Sequence, residues 1–371
     1  MRIILAAGGT AGHINPAMSL GKFVRQRRPE SDILFVGSPK GLEAKLVPAE
    51  GFALRTLKIS GFQRGFSPKD IAHNVKAVKN LLTSLSEADK ILREFCPDVV
   101  VGTGGYASFP VVYQAARRGI PTAIHESNAI PGMTTKMLAK KTDRVMVSFE
   151  ETIEYFGDKS KTVLTGNPLR EGIVIGRAGD AKKALGLTDK PVVLSFWGSL
   201  GAREMNKKIA DFMALEYGKG EFYHIHSTGS FGYKWMPGLL KEKGIDTDRY
   251  REIDMREYIN DMSNVMAASD LVISRAGAMT LSEICALGKP SIIVPSPNVT
   301  DNHQEKNARA MEKRGASVVF LEKECTGEVL YNESLAILAD EKRRKQMSDA
   351  AYEMAVFDAT DRIYDTISSL L

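Results

Sequence analysis

Four runs of glycine and small residues stand where a strand pattern gives way to a helix pattern. They are Gly8-Gly-Thr-Ala-Gly-His13, Gly102-Thr-Gly-Gly-Tyr-Ala107, Gly198-Ser-Leu-Gly-Ala-Arg-Glu-Met-Asn206 and Ala276-Gly-Ala278. Glycine lets the backbone turn sharply and approach a ligand, and the helix that follows offers unpaired N–H groups and the positive end of its dipole. That is chemistry for an anion, a phosphate above all. After the fourth run, Thr280-Leu-Ser-Glu283 places a carboxylate in what the pattern makes the first turn of the helix. A carboxylate repels phosphate but accepts hydrogen bonds from the two hydroxyls of a ribose. The two features together suggest a nucleotide held by its sugar and its pyrophosphate. The same four residues also spell a capping box, which satisfies the helix's own N–H groups and needs no ligand.

Two common nucleotide chemistries do not fit. A dinucleotide fingerprint requires G-x-G-x-x-G and an acidic residue about 20 positions on. Here the second strand ends Phe35-Val-Gly-Ser38, with no carboxylate placed for a ribose. No G-x-x-x-x-G-K-[ST] phosphate loop occurs anywhere in the chain. Nucleic-acid binding ranks low, for want of an aromatic-rich recognition motif or a basic helix run.

The elements that must position these turns alternate. Short apolar runs at Ile3 to Ala6, Ile33 to Val36, Asp98 to Val101, Thr122 to Ile124 and Arg144 to Val147 read as buried strands. Amphipathic stretches such as Ile14 to Arg27 and Pro68 to Phe95 separate them. This βαβ alternation predicts an α/β fold with a parallel sheet covered on both faces. Thr165-Gly-Asn-Pro-Leu169 interrupts it, and alternation resumes at Val192 to Trp197, Phe222 to Ile225, Leu271 to Ser274, Ile292 to Pro295 and Val318 to Leu321. From about Leu335 onward the pattern is helical only. A chain of 371 residues accommodates two such domains, placed here at residues 1–166 and 167–371, with the C-terminal helix as a segment that could pack back on the first. Two domains of this kind facing each other would line a cleft at the C-terminal ends of their strands.

Charge is shared unevenly within the overall +5. Residues 1–166 carry 23 Lys and Arg against 15 Asp and Glu, and the remainder 27 against 30. A basic first domain points to an anionic partner, although a solvated basic surface needs none. Cys96, Cys285 and Cys325 have no metal-ligand spacing and read as reduced thiols of a cytosolic protein. A strand pattern from residue 2 leaves no room for a signal peptide, and no apolar run approaches the roughly 20 residues of a membrane span.

Seven motifs, in order, resemble those of the MurG family of glycosyltransferases over nearly the whole chain. They are Gly8 to His13, Gly104-Gly-Tyr106, His125-Glu-Ser-Asn128, Gly166-Asn-Pro-Leu-Arg170, Gly198 to Arg203, Ser274 to Glu283 and Asp301-Asn-His-Gln304. The resemblance implies a GT-B fold of two Rossmann-like domains. The first would take the acceptor and dock on the membrane, and the second would take UDP-N-acetylglucosamine. It implies transfer of N-acetylglucosamine to undecaprenyl-diphospho-N-acetylmuramoyl-pentapeptide (lipid I), giving lipid II, at the cytoplasmic face of the cell membrane. Matched motif by motif, Thr10, Ala11 and Gly12 belong to a loop reaching donor and acceptor, and Asn128 and Gln304 touch the transferred sugar. Arg170 and Ser199 contact phosphate, and the Ile259 backbone holds uracil. Ala278, Met279, Thr280, Leu281, Ser282 and Glu283 form the donor loop, with Glu283 on the ribose.

Imidazole titrates near neutral pH, which makes His13 the candidate general base, with His125 and Glu126 in reserve. No Asp-x-Asp pair stands beside these loops, so the diphosphate is expected to bind without a metal or other cofactor. Ile71, Val75, Val78, Leu82 and Leu85 recur at helical spacing, with Lys69, Lys76 and Lys79 on or beside the stripe. Lys136, Lys140 and Lys141 add charge in the same domain. Such a stripe ordinarily packs in a core. The resemblance favours instead docking on anionic lipid through Val75, Lys76, Lys79, Leu82 and Lys140. Two rival functions share the architecture: a UDP-N-acetylglucosamine 2-epimerase, which needs no acceptor, and a non-enzymatic sugar-nucleotide-binding protein.

Overall fold

The computed structural model describes residues 1–59, 67–170, 172–173, 178–198, 200–247 and 249–371. The chain divides into two compact units, Met1–Leu169 with Asp358–Leu371, and Arg170–Phe357.

The first unit is built on strands β1 (Arg2–Ala7), β2 (Asp32–Gly37), β3 (Ala53–Thr56), β4 (Val99–Gly104), β5 (Thr122–Glu126), β6 (Arg144–Val147) and β7 (Thr162–Leu164). All pair in parallel, in the order β3-β2-β1-β4-β5-β6-β7. Successive strand residues point to opposite faces, so β1 feeds two cores at once. Ile3, Leu5 and Ala7 pack with Ile14, Leu20 and Val24 of the helix Ala11–Arg27, while Ile4 and Ala6 pack on the other face with Val111 and Ala115 of the helix Ser108–Arg117. The chain's last helix, Ala359–Ser368, completes the first of these cores with Ile363 and Ile367. Tyr364 meets the Phe23 ring edge-on at 5.5 Å, and Asp361 pairs with Arg27 at 2.5 Å.

The second unit repeats the plan with β8 (Val192–Phe196), β9 (Tyr223–Ser227), β10 (Ile253–Arg256), β11 (Leu271–Ser274), β12 (Ser291–Ile293) and β13 (Ser317–Val319), all parallel in the order β10-β9-β8-β11-β12-β13. In each sheet the strand order reverses once, between β1 and β4 and between β8 and β11. Ligands of open α/β sheets bind at such switch points, outside the strands' C-terminal ends. The four glycine-rich turns are the loops that leave those four strands.

In the helix Pro68–Phe95, Val75, Val78 and Leu82 of the apolar stripe are 67%, 48% and 65% exposed, while Ala77, Ala88, Ile91 and Leu92 are buried. One sequence expectation needs correction. The helix bearing Glu283 begins at Ala278, because Gly277 takes the extended N-cap conformation. Glu283 is therefore in its second turn, and Thr280 lies inside the helix, so no capping box forms. The C-terminal helical stretch is three helices, Gly327–Ala339, Glu341–Glu353 and Ala359–Ser368.

Candidate active site

At the first switch point the loops after β1 and β4 touch through glycine. Gly105 lies so close to the Gly8 carbonyl that a Cβ there would overlap it. Gly104, at φ +106°, backs the His13 imidazole, where a Cβ would fall 2.6 Å from Cδ2. His13 is the third residue of its helix and half-buried. Its backbone carbonyl accepts from the Thr103 hydroxyl at 2.7 Å. Its Nδ1 lies 3.3 Å from the Gly8 carbonyl and 3.3 Å from the Thr10 hydroxyl. A carbonyl only accepts, so this setting favours the tautomer with the proton on Nδ1 and the lone pair on Nε2. Thr10 is the N-cap but places no side-chain oxygen on the helix, and Ala11 and Gly12 stand exposed at the helix start.

The β5 loop joins this corner through the Ser127 hydroxyl, 3.5 Å from the Gly12 carbonyl. Asn128 is held by the buried Glu126, whose Oε1 accepts from both its backbone N–H and its side-chain amide at 3.1 Å. The other oxygen of Glu126 accepts from Gly132 N at 3.0 Å and the Thr135 hydroxyl at 2.7 Å. Four donors occupy this carboxylate, which removes it from the reserve list of bases. His125 leaves that list too. It is buried, lies 2.9 Å from the Gly166 carbonyl through Nε2, and burial pushes its pKa below 6.5. Glu126 holds Asn128 and its loop in place, and His125 ties β5 to the turn at Gly166.

At the second switch point, Gly201 (φ +76°) meets Gly229 (φ +72°) backbone to backbone, and a Cβ on either would overlap the other strand of the contact. Gly229 N donates in turn to the Glu257 carbonyl at 3.1 Å, which ties the segment carrying the buried Ile259 to the same corner. Ser199 lies outside the described residues. Beside this corner opens a cavity of about 500 Å³, whose walls include Gly198, Arg203, Gly277, Thr280 and Gln304. The Gln304 carbonyl oxygen accepts from Ser296 N at 2.9 Å. Its helix starts at His303 after a left-handed Asp301-Asn302 pair, and Asn302 makes no side-chain cap. Glu283 is buried and ion-pairs with the half-exposed Arg170 through Nε at 3.3 Å.

The expected site residues thus form two groups, one in each unit. Thr10, Ala11, Gly12, His13 and Asn128 cluster at the first switch point, and Arg170, Ile259, Gln304 and the Ala278–Glu283 segment gather at the second. Two charged residues that the sequence did not single out stand at these corners. Arg275 lines the cavity, donates to the Val294 and Pro295 carbonyls at 3.1 Å, pairs with Glu322 and sits 5.7 Å over the Trp197 ring. Glu43 lies beneath the first glycine loop, accepting from Gly9 N at 3.2 Å. The side chain of Lys76 lies outside the described residues, and Lys79 and Lys140 are exposed. Among the described residues no group of three or more His, Cys, Asp and Glu could hold a metal ion.

Residues 3–147 match the glycosyltransferase family 28 N-terminal domain, and residues 192–363 match the family 28 C-terminal domain. A relative from Acetivibrio thermocellus, named UDP-N-acetylglucosamine--N-acetylmuramyl-(pentapeptide) pyrophosphoryl-undecaprenol N-acetylglucosamine transferase, is 45% identical over 100% of this chain and 98% of its own. The protein of that name from Ruminiclostridium cellulolyticum is 42% identical over the full length of both. Among solved structures, the crystal structure of Acinetobacter baumannii MurG superposes with a TM-score of 0.78 at 25% identity, covering 99% of each chain.

Proposed function

The chain belongs to glycosyltransferase family 28, in its MurG group, and we propose that it moves N-acetylglucosamine from UDP-N-acetylglucosamine to lipid I, forming the β-1,4-linked disaccharide of lipid II. The observation that carries this reading is the full-length match to transferases of that name. The geometry fits it, since each sheet presents two glycine loops at its switch point.

In this reading the Ile259 segment takes uracil, Glu283 the ribose hydroxyls, and Arg170 with the loop around Ser199 the diphosphate. The helices Arg203–Glu216 and Ala278–Ala286 turn their N-termini to the loops that would meet that diphosphate. Such dipoles count most where charge develops as the nucleotide departs. Gln304 and Asn128 hold the sugar. His13 Nε2 takes the proton of the acceptor hydroxyl while its oxygen attacks C1. The C1–O bond to the diphosphate breaks, UDP leaves with the bonding pair, and the α-linked donor becomes a β-linked product. The lipid-linked acceptor brings the enzyme to the membrane. We assign docking to Val75, Val78 and Leu82 with Lys79 and Lys140, because these apolar side chains are exposed on one helix and the lysines are exposed in the same unit.

The test is incubation of the purified protein with UDP-N-acetylglucosamine, with and without a water-soluble lipid I analogue. UDP and a β-linked disaccharide should form only when both substrates are present. UDP-N-acetylmannosamine formed without acceptor would identify an epimerase instead. His13→Ala should lower kcat by about 10²–10⁴, the usual worth of a positioned base, with UDP affinity unchanged. Equal losses of affinity and rate would make His13 a binding residue.

A further inference from the structure

Glu43 is a buried carboxylate, 1% exposed, with no Lys or Arg partner among the described residues. The chain makes room for it with glycine. A Cβ at Gly8 would fall 2.7 Å from its Oε1, one at Gly37 would fall 2.5 Å from its Cγ, and one at Gly41 would overlap Oε2. Its Oε1 accepts from the Ser38 N–H at 2.7 Å and the Ser38 hydroxyl at 2.6 Å, and Oε2 accepts from the Gly9 N–H at 3.2 Å. Burial pushes its pKa up, but the Ser38 and Gly9 hydrogen bonds together hold it below 4.5, so it is an anion at neutral pH. An unpaired anion under a loop that would meet phosphate works against electrostatics, and a buried charge is costly without a purpose.

The purpose lies in the peptide it grips. The Gly9 N–H and the Gly8 C=O belong to one planar trans peptide and point in opposite directions. The N–H meets Glu43, and the C=O faces His13 Nδ1 at 3.3 Å. We propose that Glu43 is a positioning residue for His13, acting through the Gly8–Gly9 peptide. Anchoring the N–H fixes the carbonyl that selects the His13 tautomer, and the negative charge polarises the peptide so that its carbonyl is a stronger acceptor. The result resembles a carboxylate–histidine pair with a peptide bond inserted between its members. This inference rests on His13 being the base of the proposed transfer.

Glu43→Gln tests it, because the variant is nearly isosteric. Its amide oxygen can stay with Ser38, which leaves an NH₂ against the Gly9 N–H, donor facing donor. The expected result is a kcat lower by about 10- to 100-fold, the scale set by small misplacements of catalytic groups. UDP affinity should be unchanged, and the acid limb of the kcat/KM pH profile should move to lower pH as the imidazole loses its supporting charge. Full turnover would overturn the proposal. So would a loss matched by an equal loss of folded protein, with normal turnover per folded molecule. If the glutamine variant does not fold, Glu43→Asp carries the test: it keeps the charge but draws it back by one methylene. Reduced kcat at unchanged UDP affinity supports the relay, and full turnover removes it. A wild-type protein that makes no disaccharide refutes the transfer reaction itself, whereas a Glu43→Gln enzyme with full turnover refutes only the relay.

Discussion

Burial raises the pKa of Glu283 above its ordinary 4.5, and the Arg170 guanidinium at 3.3 Å only partly offsets this. An acid whose pKa rises on folding contributes stability that is fully present below the unfolded value. That stability is lost as pH rises through the folded value. Above its folded pKa the carboxylate form of Glu283 is therefore a cost to the fold, consistent with a group kept for a ligand. Glu283→Gln should leave the thermal midpoint unchanged or slightly higher, while UDP affinity, measured by calorimetric titration, falls by about 1.5–3 kcal/mol, roughly ten- to a hundredfold. A lowered midpoint with intact affinity would make the residue structural after all. Glu283 was legible in the sequence because it follows a glycine turn between two strong strands. Glu43 was not. Nothing in Gly41-Leu-Glu43 is periodic, and the glycines that enclose it, Gly8, Gly37 and Gly41, converge only once β1 and β2 are paired.

Among the elements, the strands visible in the sequence are those buried on both faces. β1 from Ile3 onward and all of β8 are buried, and they read as continuous apolar runs. The strands that escaped notice are β3, β7 and β10, three of the four sheet edges, where Ala53–Thr56 and Thr162–Leu164 have no fully buried residue and Ile253–Arg256 has one. An edge strand packs one flank against water, so its composition carries little signal. The helix Pro68–Phe95 misleads in the opposite sense. Periodic valines and leucines ordinarily mark a core, yet Val75, Val78 and Leu82 are exposed, and the small Ala77, Ser84 and Ala88 are buried. Exposure of that stripe has a measurable consequence. Replacing Val75 and Leu82 with Ser should change the thermal midpoint little, since surface substitutions usually fall within about 0.5 kcal/mol. Binding to anionic vesicles should weaken, because each side chain forfeits up to about 1.5–3 kcal/mol of burial in lipid. Charge reversal at Lys79 and Lys140 should weaken it further, most at low salt. Vesicle binding indifferent to all four changes would remove this face from the docking surface.

Across the whole molecule, the chain's order and its folding units do not coincide, because Asp358–Leu371 belongs with residues 1–169 and not with the unit that precedes it. That helix contributes Ile363 and Ile367, 2% and 1% exposed, to the core around β1. Burying two such side chains is worth about 3–6 kcal/mol, a large part of the 5–15 kcal/mol typical of a domain. The Arg27–Asp361 pair is half-exposed on both sides and adds little. Ending the chain at Phe357 should therefore destabilise the first unit selectively. Both tryptophans, Trp197 and Trp235, lie in the second unit, so their fluorescence reports on that unit alone, whereas far-UV circular dichroism reports on both. In the shortened protein the dichroism melt should gain an early step. The fluorescence midpoint should hold its wild-type value and still rise with UDP, by the equivalent of about 2.7 kcal/mol at a hundredfold excess over Kd. A fluorescence midpoint that falls together with the dichroism signal would mean that the terminal helix supports both units, and that the nucleotide site depends on the end of the chain.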